Sequence, residues 1–259
     1  MKITAAIIAL NEEHKIGDAL RSVEWADEVV VVDSGSTDRT LEIVNGTGAR
    51  SLHRGWTGFS DQKQFAADSA SNDWILSLHA DERVSVALKS EIMALMELGP
   101  THSGYTVPRL SYYMGRPIRH SGWYPDRQLR LFDRRKARWN GRLIHESVEM
   151  VEGTMGSLRH DLLHYSVDGA AHHHKMIGER YAPLAAQQMF AEGKRASALG
   201  IALAGPGAFV RHYLLRAGFL DGLAGYSIAK FAAHHAFLKN LLLMELQSAS
   251  RTAPPDDNL

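Results

Sequence analysis

Glu28-Val29-Val30-Val31-Val32-Asp33-Ser34-Gly35-Ser36-Thr37-Asp38 reads as a strand running into a turn rich in acids and hydroxyls. Consecutive β-branched residues favour strand. With no polar alternation, such a strand is covered on both faces, as in a parallel sheet. Outward from it, Ile3–Ala9 is a second apolar run, interrupted only by Thr4, and residues 13–23 place Ile16, Ala19, Leu20 and Val23 at helical spacing. Ser36 stands where it could cap a helix that starts near Asp38 and carries Leu41, Ile43 and Val44. A short strand at 49–53, a helix around 59–70 and a strand at 74–78 complete the alternation, which predicts an α/β fold built on a parallel sheet. Ligands of such sheets sit beyond the carboxyl ends of the strands. The loops at those ends are Asn11-Glu12-Glu13, Asp33 to Asp38, and His79-Ala80-Asp81-Glu82-Arg83. Three acid-rich loops at one edge predict one site.

The chain has 259 residues, 29 Lys+Arg against 29 Asp+Glu, 45% hydrophobic residues and no Cys. These values fit a globular domain with an appendage and exclude fibrous and wholly disordered classes. Without Cys there is no disulfide scaffold, thiolate metal site or cysteine nucleophile. A net charge of zero argues against a protein that coats nucleic acid. The charge is split, however: residues 1–170 net −3 and residues 171–259 net +3. The apolar start is short and meets Asn11-Glu12-Glu13 at once, so a buried strand is expected there rather than a signal peptide. The longest uncharged run, 196–210, is broken by Gly200, Gly205, Pro206 and Gly207, and is not expected to span a membrane.

Residues 103–165 are mixed, with short strands expected at 104–108, 128–132 and 158–165. After Gly169 the pattern turns helical. The expected organisation is an α/β domain at 1–170, a helical extension at 171–247 and a disordered tail at 248–259.

Two constellations carry chemistry. In Asp33 to Asp38, two carboxylates flank small hydroxyl residues at a strand-to-helix turn, which suits hydrogen bonding to a nucleobase or ribose. A plain turn is the simpler alternative. No dinucleotide fingerprint or Walker A sequence is present. In His79-Ala80-Asp81, Asp81 can ligate a divalent cation shared with a diphosphate, and His79 would favour Mn²⁺ over Mg²⁺. Here a helix-start acid is the alternative.

The order of these motifs resembles family-2 glycosyltransferases of the GT-A fold. It runs through Asn11-Glu12-Glu13, Trp25-Ala26-Asp27-Glu28, Asp33 to Asp38, Gln62-Lys63, Asp73-Trp74-Ile75-Leu76-Ser77-Leu78 and the acidic triplet. The likeness continues through Gly122-Trp123-Tyr124-Pro125-Asp126, Leu129-Arg130-Leu131-Phe132, His145-Glu146, Leu163-His164-Tyr165-Ser166 and Gly218-Phe219-Leu220-Asp221-Gly222. Over about residues 1–246 it is similar to the bacterial branch that adds glucose to the lipopolysaccharide inner core.

The resemblance implies a mostly parallel GT-A sheet, a UDP-sugar donor and a divalent metal, Mn²⁺ or Mg²⁺. It implies that Ala9, Asn11, Glu12, Asp33 and Ser36 hold the nucleotide, with Asp33 on uracil. Lys63 lies near the donor phosphates, Asp81 binds the metal, with His79 as the further candidate ligand read from the residues, and His164 completes the metal or diphosphate site. Glu146 is the first choice for the base that deprotonates the acceptor, Asp126 the second. The departure is His79, where the family usually has Asp.

Residues 109–142 carry a local net charge of +8. Contact with an anionic glycan or glycolipid, or with the donor diphosphate, is expected there, with Arg127 or Arg130 nearest the site. The basic, apolar helices beyond 171 suit peripheral contact with the inner face of the cytoplasmic membrane. Packing on the sheet or a homo-oligomer interface is the alternative. His172-His173-His174 is expected on a solvated helix surface. Two other readings compete: a nucleotidyltransferase, which Asn11-Glu12-Glu13 disfavours, and a non-catalytic nucleotide-sugar-binding relative silenced by His79.

Overall fold

The structure is a computed structural model that describes residues 1–142 and 146–252. The chain divides into two compact units, Met1–Ser111 with Pro125–Ser166, and Tyr112–Tyr124 with the chain from Val167 onward.

The first unit opens with β1 (Ile3–Ala9), α1 (Ile16–Ser22), β2 (Glu28–Asp33), α2 (Thr40–Asn45), β3 (Arg50–His53), α3 (Phe59–Asp68) and β4 (Trp74–His79). Strands β3, β2, β1 and β4 lie side by side in that order, all parallel. Every residue of β1 is buried. Ile3, Ala5, Ile7 and Ala9 join one apolar cluster with Leu20, Val31 and Leu76. Ala6 and Ile8 join another with Val30, Val32 and Ile75. A two-residue period with both faces apolar is what two helical layers around a parallel sheet require.

Next come β5 (Glu82–Val84), α4 (Val86–Leu98), β6 (Gly104–Tyr113), β7 (Arg116–Pro117) and β8 (Asp126–Asp133). They are followed by β9 (Ala137–Trp139), β10 (Val148–Met150), β11 (Met155–Ser157) and β12 (Leu162–His164). Strand β8 adds antiparallel to β4, and β6, β12 and β5 continue the sheet, with β11 also on β6. The second half is therefore mixed. Two of its pairings build the site. Strand β12 lies between β5 and β6, which sets His164 opposite both Glu82 and Ser111. Strand β8 lies on β6, which sets Asp126 opposite Arg109.

The second unit holds α5 (Ala170–Lys175), α6 (Ala182–Ala191), α7 (Ala198–Val210) and α8 (Gly222–Thr252). Residues 112–124, read from the sequence as part of the first domain, belong here. Asp221 accepts from the backbone N–H groups of Arg119 and His120, and Ile118 is buried with Tyr113, Ala224 and Ile228. Helix α8 runs through Ser248 to Thr252, where disorder was expected, and the rest of that tail lies outside the described residues. The expectation of a solvated histidine run also fails at His173. Its ring lies 4.2 Å from that of Phe231 and 5.4 Å from that of Tyr113, centroid to centroid. Burial and the neighbouring His172 push it down to about 4, so it packs as a neutral flat ring.

Candidate functional site

The loops after β1 and β2 are sewn together. Asp33, 1% exposed, accepts on Oδ2 from the N–H groups of Gly35 and Ser36 at 2.8 and 3.0 Å, and on Oδ1 from the Ser36 hydroxyl at 2.5 Å. Ser36 Oγ in turn accepts from Asn11 N–H at 2.9 Å, and the Asn11 side chain accepts from Thr37 N–H at 2.8 Å. Asn11 takes the left-handed conformation, φ 55°, which asparagine tolerates better than most residues. Glu12 N–H donates to Thr40 and Glu13 N–H to Asp38. The structure thus brings Ala9, Asn11, Glu12, Asp33 and Ser36 to one place. Ser36 does not cap α2, which begins at Thr40 without a side-chain cap. Its hydroxyl is turned back to Asp33 instead.

At the end of β4, Glu82 is wholly buried. It accepts from Arg130 Nη2 at 2.6 Å, Arg109 Nη1 at 3.3 Å and His79 N–H at 2.9 Å. Burial alone would raise its carboxyl; the Arg130, His79, His164 and Arg109 charges together hold it far below the usual range. Arg130 sits at a β-bulge. Leu131 pairs with Tyr105 and Leu129 with Thr106, so Arg130 is the unmatched residue between them.

Asp81 sits beside this cluster. His164 Nε2 lies 3.4 Å from Asp81 Oδ2, and Ser111 Oγ orients the other ring nitrogen at 3.1 Å. Burial raises the Asp81 carboxyl, but His164 outweighs burial and leaves it lowered. Asp81 Oδ1 is buried and has no hydrogen-bond partner among the described residues. A buried carboxylate oxygen without a partner is costly, and the other oxygen of the same carboxylate lies next to an imidazole. Oxygen and imidazole donors of this kind fit Mn²⁺ or Mg²⁺.

His79 does not join that pair. Its Nε2 is 3.5 Å from Arg130 Nη1 and its Nδ1 is 3.7 Å from Glu82 Oε1. Burial together with the Arg130 and Lys63 charges lowers its pKa well below the ordinary value. One of its ring nitrogens thus faces a guanidinium and the other a carboxylate. The expected trio of Asp81, His79 and His164 is therefore not assembled as a metal cage, and no cluster of three such side chains occurs among the described residues.

Lys63 is 3% exposed and donates to Glu146 Oε1 at 2.8 Å, with the Trp139 ring 4.7 Å from its ammonium. Burial and the Arg130 charge lower it to about 8 despite Glu146. Glu146 is pulled below the usual range, because the Lys63 bond outweighs its burial. His145, from the same motif, lies outside the described residues. Asp126 is also paired, accepting from Arg109 at 2.9 and 2.5 Å and from Gln128 at 2.6 Å. Arg127 does not reach the cluster. Alternation along β8 turns it to the face opposite Asp126, where it donates to Leu158 O at 3.1 Å.

The family model described as "Glycosyl transferase family 2" matches residues 4–160. That span holds every residue of the site but His164. The chain belongs to glycosyl transferase family 2. This glycosyltransferase is 31% identical over its whole length to "Lipopolysaccharide core biosynthesis glycosyltransferase LpsC" of Rhizobium meliloti, covering 98% of that protein. It is 29% identical over 99% of its length to an uncharacterised glycosyltransferase of Rickettsia typhi, covering 91% of it. Among solved structures, S. aureus TarS overlaps 45% of this chain and 23% of its own, at 25% identity and a TM-score of 0.38. An overlap so partial carries no argument about substrate. Family membership and a sheet that joins a parallel half to a mixed half make the fold of this glycosyltransferase GT-A.

Glu82 and Arg109 had no assigned role in the sequence reading. Glu82 stood in view beside Asp81, but its function depends on β6 and β8 bringing two arginines onto it. Gln62 is a third such residue: its Nε2 donates to Arg54 O and Gly55 O, both at 2.9 Å, fixing the loop that leads into α3.

Proposed function

We propose that this glycosyltransferase moves glucose from UDP-glucose, with inversion, onto a lipopolysaccharide-core or related anionic glycolipid acceptor. The observation that carries the donor side is the unpartnered Oδ1 of Asp81, whose Oδ2 lies 3.4 Å from His164, at the carboxyl edge of the parallel strands. The printed function of LpsC supports the acceptor class. The cytoplasmic face of the membrane is the proposed place of action, since it is where a nucleotide-sugar and a glycolipid can meet.

In this reading Ala9, Asn11, Glu12, Asp33 and Ser36 hold the nucleotide. A carboxylate has about four lone-pair sites. Asp33 uses three within its own loop, and the remaining one accepts the uracil N3–H. Asp81 and His164 hold Mn²⁺ or Mg²⁺, which when bound stabilises charge on the leaving diphosphate. Arg130 keeps Glu82 and His79 in place and adds positive potential. Lys63 is shared between Glu146 and the diphosphate. When donor binding draws Lys63 toward phosphate, Glu146 is released to accept the acceptor hydroxyl proton. That oxygen bonds to the anomeric carbon as the bond to the diphosphate oxygen breaks and UDP leaves with the electron pair. Asp126 is the second choice, already engaged by Arg109.

The His79 contacts with Glu82 and Arg130 keep a second reading open, a protein that binds nucleotide-sugar without transfer. Measuring UDP release from UDP-glucose with Mn²⁺ separates the two. Glu146→Gln is expected to spare donor affinity and cut turnover by roughly 10²–10⁴. Retained turnover in Glu146→Gln with loss in Asp126→Asn would move the base to Asp126. A wild type that binds but never turns over, while His79→Asp does, would favour the second reading.

A further inference from the structure

Helix α7 is apolar on both of its faces, and only one of them is covered. Ile201 and Gly205 face α8, so closely that a Cβ on Gly205 would meet Ala233 O at 3.4 Å. On the other side, Leu199 (70% exposed), Leu203 (59%) and Val210 (43%) recur at helical spacing. The π-helical turn Arg211–Leu215 continues them with Leu214 (55%) and Leu215 (78%). Over Ala198–Leu215 the mean hydropathy is 1.2, yet only 6% of the window is buried. An exposed apolar strip of this kind marks a contact surface.

Charge decides what the strip contacts. From Lys194 to Leu220 the sequence has Lys194, Arg195, Arg211 and Arg216 and no acid. The next acid, Asp221, is 6% exposed and already bonded to residues 119 and 120. The acid just before this stretch, Glu192, is already paired with Lys194 at 2.7 Å, so a second copy laid on the strip would set arginine against arginine. An anionic lipid surface would match it. By length and composition the window is also apolar enough to cross a membrane, but Gly205-Pro206-Gly207 and Arg211 inside it favour a helix lying in the interface.

We propose that α7 lies in the plane of an anionic bilayer, with Leu199, Leu203, Val210 and Leu214 at the acyl boundary and Arg195 and Arg211 at headgroup level. The inference is independent of the transfer reaction, because its test reads no catalysis.

The test is flotation of the full chain with phosphatidylcholine vesicles and with vesicles containing about one-third phosphatidylglycerol. The chain is expected to float with the anionic vesicles at least about tenfold better than with the neutral ones. Leu203→Glu with Leu214→Glu should remove that binding about tenfold or more, at unchanged circular dichroism. Should that pair fail to fold, Arg195→Gln with Arg211→Gln is read instead, and should weaken binding several-fold and flatten its salt dependence. Absence of flotation with either vesicle, or variants that float like the wild type, overturns the proposal. So does a dimer in light scattering that Leu203→Glu splits, since the strip would then be an interface between copies.

Discussion

Glu82 is the residue on which the polar cluster depends. It is wholly buried and receives Arg130, Arg109 and a backbone N–H at once. Removing one partner of a buried ion pair leaves the other charge uncompensated, at about 3–5 kcal/mol. Glu82→Gln is therefore expected to lower the melting temperature by ~10 °C in thermal denaturation. Lys63 gives a second prediction. Its charge is present below about pH 8 and lost above it. UDP affinity is thus expected to fall as pH rises through about 8, and Lys63→Arg, which stays charged, should remove that alkaline limb in calorimetric titrations. An unchanged limb would leave Lys63 as no more than the partner of Glu146. Neither residue's environment was legible beforehand. Asp81 and Lys63 could be singled out by motif. That Glu82 would be buried under two arginines, and Lys63 clamped to Glu146, follows from pairings between segments 20 to more than 80 residues apart.

At the scale of elements, the parallel half was readable and the mixed half only in outline. Strands β1, β2 and β4 are largely apolar runs that lead into acid-rich loops, and periodicity reports such strands directly. Arg127 and Arg130 could not be told apart in the same way. Simple alternation sets them on opposite faces, but which face met the site depended on β8 joining β6. Ser36 does not cap the helix expected near Asp38, because its hydroxyl has a local partner in Asp33. Glu28, at the head of β2, ties elements together. It accepts from Thr4 Oγ1 at 2.6 Å, Ser71 N–H at 2.7 Å and Arg50 at 2.9 Å. Burial would raise its carboxyl, but these bonds outweigh burial and bring it down to about 2. The folded pKa lies below the unfolded one. The stabilisation, of order 2–3 kcal/mol, is therefore complete above about pH 4.5 and lost as pH falls toward 2. Glu28→Gln should remove that part of the acid-unfolding slope, measured by urea titration between pH 2 and 5.

For the whole molecule, zero net charge hides opposite sites. Carboxylates gather at the sheet edge, where their arginine partners nearly cancel them, and an acid-free stretch runs through the helical unit. Part of the +8 segment is tied to the protein's own groups. Arg134 donates to Ala67 O and Asp68 O, and Arg135 pairs with Asp133. The assignment of 112–124 to the helical unit was not readable, because Ile118 and the amides that Asp221 accepts from carry no periodic signal. The central claim is that Asp81 and His164 complete a metal-assisted UDP-sugar site. Calorimetric titration of UDP with and without Mn²⁺, on the wild type and on Asp81→Ala, tests it most directly. The account predicts at least about tenfold tighter UDP binding with Mn²⁺ and loss of that gain in the variant. UDP binding that ignores Mn²⁺, or a gain that survives Asp81→Ala, would contradict it.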